Sequence, residues 1–98
     1  MIIVSGSVRA RPEALDEVLR LSLEHVRRSR LEPGCLMHSV HQDVEDPGHV
    51  VFLEYWADMA ALRTHFAVPA SRAFAKALNP LSTDVTPISI FEVTPAAL

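Results

Sequence analysis

The segment from His49 to Trp56, "HVVFLEYW", is apolar on both parities. Val51, Leu53 and Tyr55 fall on one side of an extended chain, Phe52 and Trp56 on the other. Its β-branched and aromatic residues make it a strand. A strand that is greasy on both sides needs cover above and below. "MIIV" at residues 1–4 and "PISIFEV" at residues 87–93 share this property. A sheet made of such strands is expected to carry helices on one face and to bury the other against something else. A second copy of the chain in a two-fold dimer is the simplest cover.

The remaining segments supply the helices. Residues 1–10 read as the first strand. Pro12 suits the first turn of a helix, with Glu13, Asp16 and Glu17 at its positive end and Arg27, Arg28 and Arg30 at its negative end. Leu15, Val18, Leu19, Ser22 and Val26 give it one face. Glu32-Pro33-Gly34 stops it. Cys35–Val44 and Val50–Ala57 are two further strands, joined by a turn over Glu45–His49. Asp58 caps a second helix, which Pro69 interrupts. A further helical piece carries Phe74, Leu78 and Leu81 on one face, and Val85–Val93 is the last strand. The order β-α-β-β-α-β predicts an α+β, ferredoxin-like fold: an antiparallel sheet with its helices on one face. One domain over residues 1–98 is expected, with its core in about residues 2–93.

Composition removes several function classes. With 49% hydrophobic and 21% charged residues the chain is globular and not disordered. The net charge of −3 is spread as mixed signs, with no basic cluster to track phosphates, so nucleic acid is not an expected partner. A lone cysteine, Cys35, excludes a disulfide within the chain and points to a reducing compartment; it reads as a small buried hydrophobe. "MIIVSGSVRA" lacks the charged start and the apolar length of a signal peptide. No run is long enough to span a bilayer. A cytoplasmic protein without a membrane partner is expected. Three glycines and no Gly-rich loop argue against a nucleotide-type cofactor. His38 and His41 lie on opposite faces of one strand, and no other group has ligand spacing, so no metal is expected.

A turn centred on Pro47–Gly48 sets residues summing to 95 opposite one another, which pairs His41 with Glu54 and Ser39 with Trp56 on one face. On the second helix Leu62, His65 and Phe66 share the apolar side, so His65 points at the sheet. Ser5 and Ser7 share a face with Ile3 and bring hydroxyls toward the same space. A cavity between the sheet and the second helix is therefore expected. The bland alternative makes His65 a core histidine with one hydrogen bond, Trp56 a core residue and Glu54 an edge acid. His25 reads as solvated at the margin of the first helix, and His49 as a turn residue.

"EPGCL" at 32–36, "DP" at 46–47 and "FLEYWADMAALRTHF" at 52–66 resemble the hallmark segments of the antibiotic biosynthesis monooxygenase family. The family's pattern falls on Glu32, Pro33, Gly34, Cys35, Glu54, Trp56, Asp58, Ala61, Leu62 and His65. The resemblance implies a dimeric α+β barrel in which two ferredoxin-like sheets face each other. It also implies oxidation of a small phenol or quinol to a quinone by molecular oxygen, without a cofactor. Haem-degrading members resemble the chain at Trp56 and His65 but need an Asn on the first strand, where this sequence has Ser5 and Ser7.

The chemistry of these residues is compatible with that activity. A phenolate can pass one electron directly to triplet oxygen, so the protein needs only to bind the aromatic, favour its anion and keep the site dry. Phe52, Leu62 and Phe66 suit the aromatic, with Trp56 beside them. His65 suits the phenolic proton, and His41 with Glu54 would act as a coupled pair. Two rival readings stand beside it: an isomerase acting on a small hydroxy-carbonyl signal molecule, which needs the same acid/base residues but no oxygen, and a non-catalytic dimer that is structural or binds a small molecule.

Overall fold

The computed structural model describes residues 1–98. Strand β1 (Ile2–Ala10) leads through a 3₁₀ turn at Pro12–Ala14 into helix α1 (Leu15–Ser29). Strands β2 (Cys35–Gln42) and β3 (His49–Trp56) follow, then helices α2 (Met59–Ala67) and α3 (Pro69–Leu81), then strand β4 (Ser82–Glu92). The four strands form one antiparallel sheet in the order β2-β3-β1-β4, with the helices packed on one face. This is the ferredoxin-like α+β arrangement that the element order predicts.

Local chemistry sets the boundaries. The Asp58 carboxylate accepts the Ala61 N–H at 2.8 Å and starts α2. Val68 is extended, as a residue before proline prefers, and Pro69 begins α3 at a position where its missing N–H costs nothing. The Glu32-Pro33-Gly34 turn is fixed by its glycine. Gly34 has φ +82°, and a Cβ there would sit 2.6 Å from the Ala61 Cβ on α2. Its carbonyl accepts the Ala57 N–H at 2.8 Å. The turn is thereby pressed against the helix that carries His65. Gly34→Ala adds a backbone penalty and a steric one, about 2 kcal/mol together. The expected result is a melting temperature lower by roughly 10 °C, read by circular dichroism. A loss of less than about 2 °C would show that the turn and α2 part easily.

The β2–β3 register corrects the expected one. Glu54 stands opposite His38, and His41 opposite Val51. The connection is not one tight turn at Pro47–Gly48. Asp46 N–H bonds to the Asp43 carbonyl and His49 N–H to the Asp46 carbonyl, so two turns follow one another. Asp43 Oδ1 also accepts the Glu45 N–H at 2.9 Å. The longer loop shifts the pairing by an odd number of residues, which exchanges the faces of β2. His38 therefore turns inward and is 1% exposed. His41 stands outside, bonded to Ser39 Oγ.

The helix-covered face of the sheet holds two apolar clusters. One joins Val8, Val18, Val26, Val50, Phe52 and Leu78, and the other joins Ile2, Val4, Trp56 and Leu62. Phe52, Glu54 and Trp56 are alternate residues of β3, so Glu54 lies in the gap between the clusters. The opposite face carries Ile3, Val51, Leu53 and Tyr55, all half-buried, with Phe91 of β4 paired to Ile3 and 53% exposed.

Candidate active site

Four elements send polar side chains into the gap beside Glu54. α1 supplies His25, β2 supplies His38, β3 supplies Glu54 and α2 supplies His65, and each is buried. The expectation of a solvated His25 is corrected. It continues the buried stripe Val18, Ser22, Val26, Ser29 and stacks on Phe74 of α3, with ring centroids 4.1 Å apart and planes within 8°. The ring centroids of the three histidines are 5.2 to 5.6 Å from one another.

Glu54 Oε1 accepts the Trp56 indole N–H at 2.8 Å. The same oxygen lies 3.4 Å from His38 Nε2 and 3.8 Å from His65 Nε2. The His38 contact is close but too poorly aimed for a hydrogen bond, and neither His38 ring nitrogen has a partner. Burial alone would raise the Glu54 carboxyl. The nearby His38, the Trp56 N–H and His65 outweigh burial and hold the group below its ordinary value, so it is an anion at neutral pH.

His65 Nδ1 lies 2.9 Å from Glu32 Oε1, on the turn that Gly34 locks to α2. A carboxylate accepts only, so His65 carries its proton on Nδ1 when neutral and presents a bare Nε2 toward Glu54. Trp56 packs against the same ring, with centroids 4.6 Å apart. His25 is arranged in the opposite sense. Arg28 Nη2 sits 2.6 Å from His25 Nδ1 and can only donate, which places the His25 proton on Nε2. Burial, then the neighbouring His38, Arg28 and His65, push His25 down to about 3, and it stays neutral at pH 7.

These groups form one wall of a cavity of about 380 Å³. The rest of the lining is mostly apolar, from Phe52 of β3, Phe66 of α2, Phe74 and Leu78 of α3, and Val85 and Ile88 of β4, with Ser71, Lys76 and Asn79 of α3 and Thr86 of β4 among them. Phe52, Phe66, Glu54, His65 and Ser7, all singled out in the sequence, line it, Ser7 beside the register shift in β1–β4 pairing. Trp56 and Leu62 lie behind the polar wall in the second cluster, both 0% exposed. Ser5 pairs with Leu53 and Ser89 on the other face of the sheet, so it does not share this space. His41 is also outside it. Sequence reasoning missed His25, His38 and Glu32 as site residues. His25 carried a usable signal, since it is three residues from Ser22 and seven from Val18 on the apolar stripe.

Residues 1–77 match the model of the antibiotic biosynthesis monooxygenase family. An uncharacterized protein, sll1783, from Synechocystis is 30% identical over 92 residues. That alignment takes in 94% of this chain, which spans only 63% of the relative's length. YcnE of Bacillus subtilis, a candidate monooxygenase, is 31% identical over 65 residues, or 66% of this chain and 68% of its own. A crystal structure of a candidate antibiotic biosynthesis monooxygenase from Deinococcus radiodurans superposes with a TM-score of 0.94 at 31% identity. It covers 100% of this chain and 97% of that one. No helix is long and apolar enough to cross a membrane.

Proposed function

Since the chain belongs to the antibiotic biosynthesis monooxygenase family, we propose that it oxidises a small phenol or quinol to a quinone with molecular oxygen. The observation that carries this reading is the pairing of a mostly apolar 380 Å³ cavity with a bare imidazole nitrogen on its wall. The volume suits a small aromatic. The phenyl groups of Phe52, Phe66 and Phe74 exclude water and bracket a flat ring. His65 Nε2 takes the phenolic proton, and Glu32 holds Nδ1 and stabilises the imidazolium that forms. Glu54 Oε1 lies beside the same ring, 3.8 Å from its Nε2. Trp56 is a positioning residue that fixes Glu54 and the His65 ring. His25 offers its Nε2–H as a neutral donor to the phenolate.

The stoichiometry needs no external reductant or cofactor. A phenol gains one oxygen atom and loses two hydrogens to give the quinone, a quinol does the same to give a hydroxyquinone, and in both cases the second oxygen atom leaves as water with those two hydrogens. Electrons pass from the phenolate to oxygen. On the sheet's other face, a second copy of the chain would cover Ile3, Leu53, Tyr55 and Phe91, a reading that the two-faced strands support.

A panel of quinols and polyphenols, incubated with and without oxygen and followed by mass, tests the proposal. Product carrying one added oxygen atom, formed only under oxygen and labelled from ¹⁸O₂, is the expected result. Turnover that survives strict anaerobiosis would favour the isomerase reading, which uses the same imidazole to move a proton on a hydroxy-carbonyl compound.

A further inference from the structure

We propose that His25, His38 and His65 also form a binding site for one first-row divalent transition-metal ion of the Zn²⁺ class, with an open position toward the cavity. One ring nitrogen from each lies within 4.8 Å of the others. An ion at about 2.0–2.1 Å from each nitrogen needs them roughly 3.3 Å apart. Small side-chain rotations close that difference. The donor set, three neutral imidazoles with room for a further ligand, suits Zn²⁺, Cu²⁺, Ni²⁺ or Fe²⁺ and not Mg²⁺ or Ca²⁺.

Three observations beyond the clustering point to an ion. His38 is 1% exposed, yet neither ring nitrogen has a partner, which is rare for a buried polar group. His65 is backed through Nδ1 by the Glu32 carboxylate, the support that metal-ligating histidines usually have. Glu54 Oε1, 3.4 and 3.8 Å from two of the rings, places a negative charge beside the site. One contact opposes the ion: Arg28 Nη2, 2.6 Å from His25 Nδ1. An arriving dication repels this guanidinium, and His25 ligates only when the contact gives way. Arg28 therefore sets the affinity. The site does not depend on the oxidation proposed above. Ion and proton compete for the nitrogen of His65 left free by Glu32, so metal-loaded protein is expected to be inactive in that oxidation.

The test is binding, not activity. Chelator-treated protein is titrated with Zn²⁺ by calorimetry and with Co²⁺ by visible absorption. One ion per chain with a Kd of about 1 µM or tighter is expected, with the strong absorption of low-coordinate Co²⁺. His38→Ala weakens binding at least about 100-fold, and Glu32→Gln weakens it roughly 10- to 100-fold. Arg28→Gln tightens it about tenfold, a gain that a damaged fold cannot imitate. Absence of binding at about 100 µM free Zn²⁺, or binding that His38→Ala and Arg28→Gln leave unchanged, overturns the proposal.

Discussion

Replacing His65 with Ala is expected to lower turnover of the phenolic substrate at least about 100-fold, within the range that a general base contributes. The loss falls on kcat. Substrate affinity changes little, because the aromatic is held by Phe52, Phe66 and Phe74 and not by the imidazole. His65 donates through Nδ1 to Glu32, which leaves Nε2 as the proton acceptor. Glu32→Gln keeps the ring in place but removes the charge that stabilises the imidazolium, and a loss of about tenfold is expected. Single-turnover and steady-state kinetics on folded variants check both. Equal turnover by wild type and His65→Ala would remove His65 as the base.

The second large effect is on stability. Lowering the pH from 6.5 to 4.5 is expected to cost about 2 kcal/mol of unfolding free energy in metal-free protein. The cause is His25, which burial and the facing groups push down to about 3 in the fold, against 6.5 outside it. Between those values the unfolded chain binds the proton and the folded chain does not, so stability is lost as pH falls through the window. The groups facing His25 are Arg28 on its own helix, His38 on β2, Glu54 on β3 and His65 on α2. Glu54, held below its ordinary 4.5, adds a loss at still lower pH. In urea the midpoint should fall by about 2 M across that pH range. His25→Gln should be less stable at pH 7 and show a much flatter slope. An unchanged slope would mean that His25 titrates alike in both states.

These effects depend on contacts that a linear reading reaches only in part. Element order, the Asp58 cap, the Pro69 break and the Gly34 stop are local signals, and each is where the pattern puts it. The inward aim of His65 follows from helical spacing. The register of β2 against β3 does not, because it depends on how six loop residues fold. The two successive turns at Asp43–His49 brought His38 in and left His41 outside. Glu32 was legible as part of a turn, but its meeting with His65 needs the turn to dock on α2 through Gly34 and Ala61, a contact remote in sequence.

One measurement addresses the central claim directly: ¹⁵N-resolved NMR of the His65 ring, without oxygen, as a quinol is added. The free protein should show a protonated Nδ1 and a bare Nε2. Binding should shift Nε2 toward its protonated position, as the phenolic proton moves to it inside the cavity. A His65 ring that ignores the quinol, or that carries its proton on Nε2 from the start, would contradict the account.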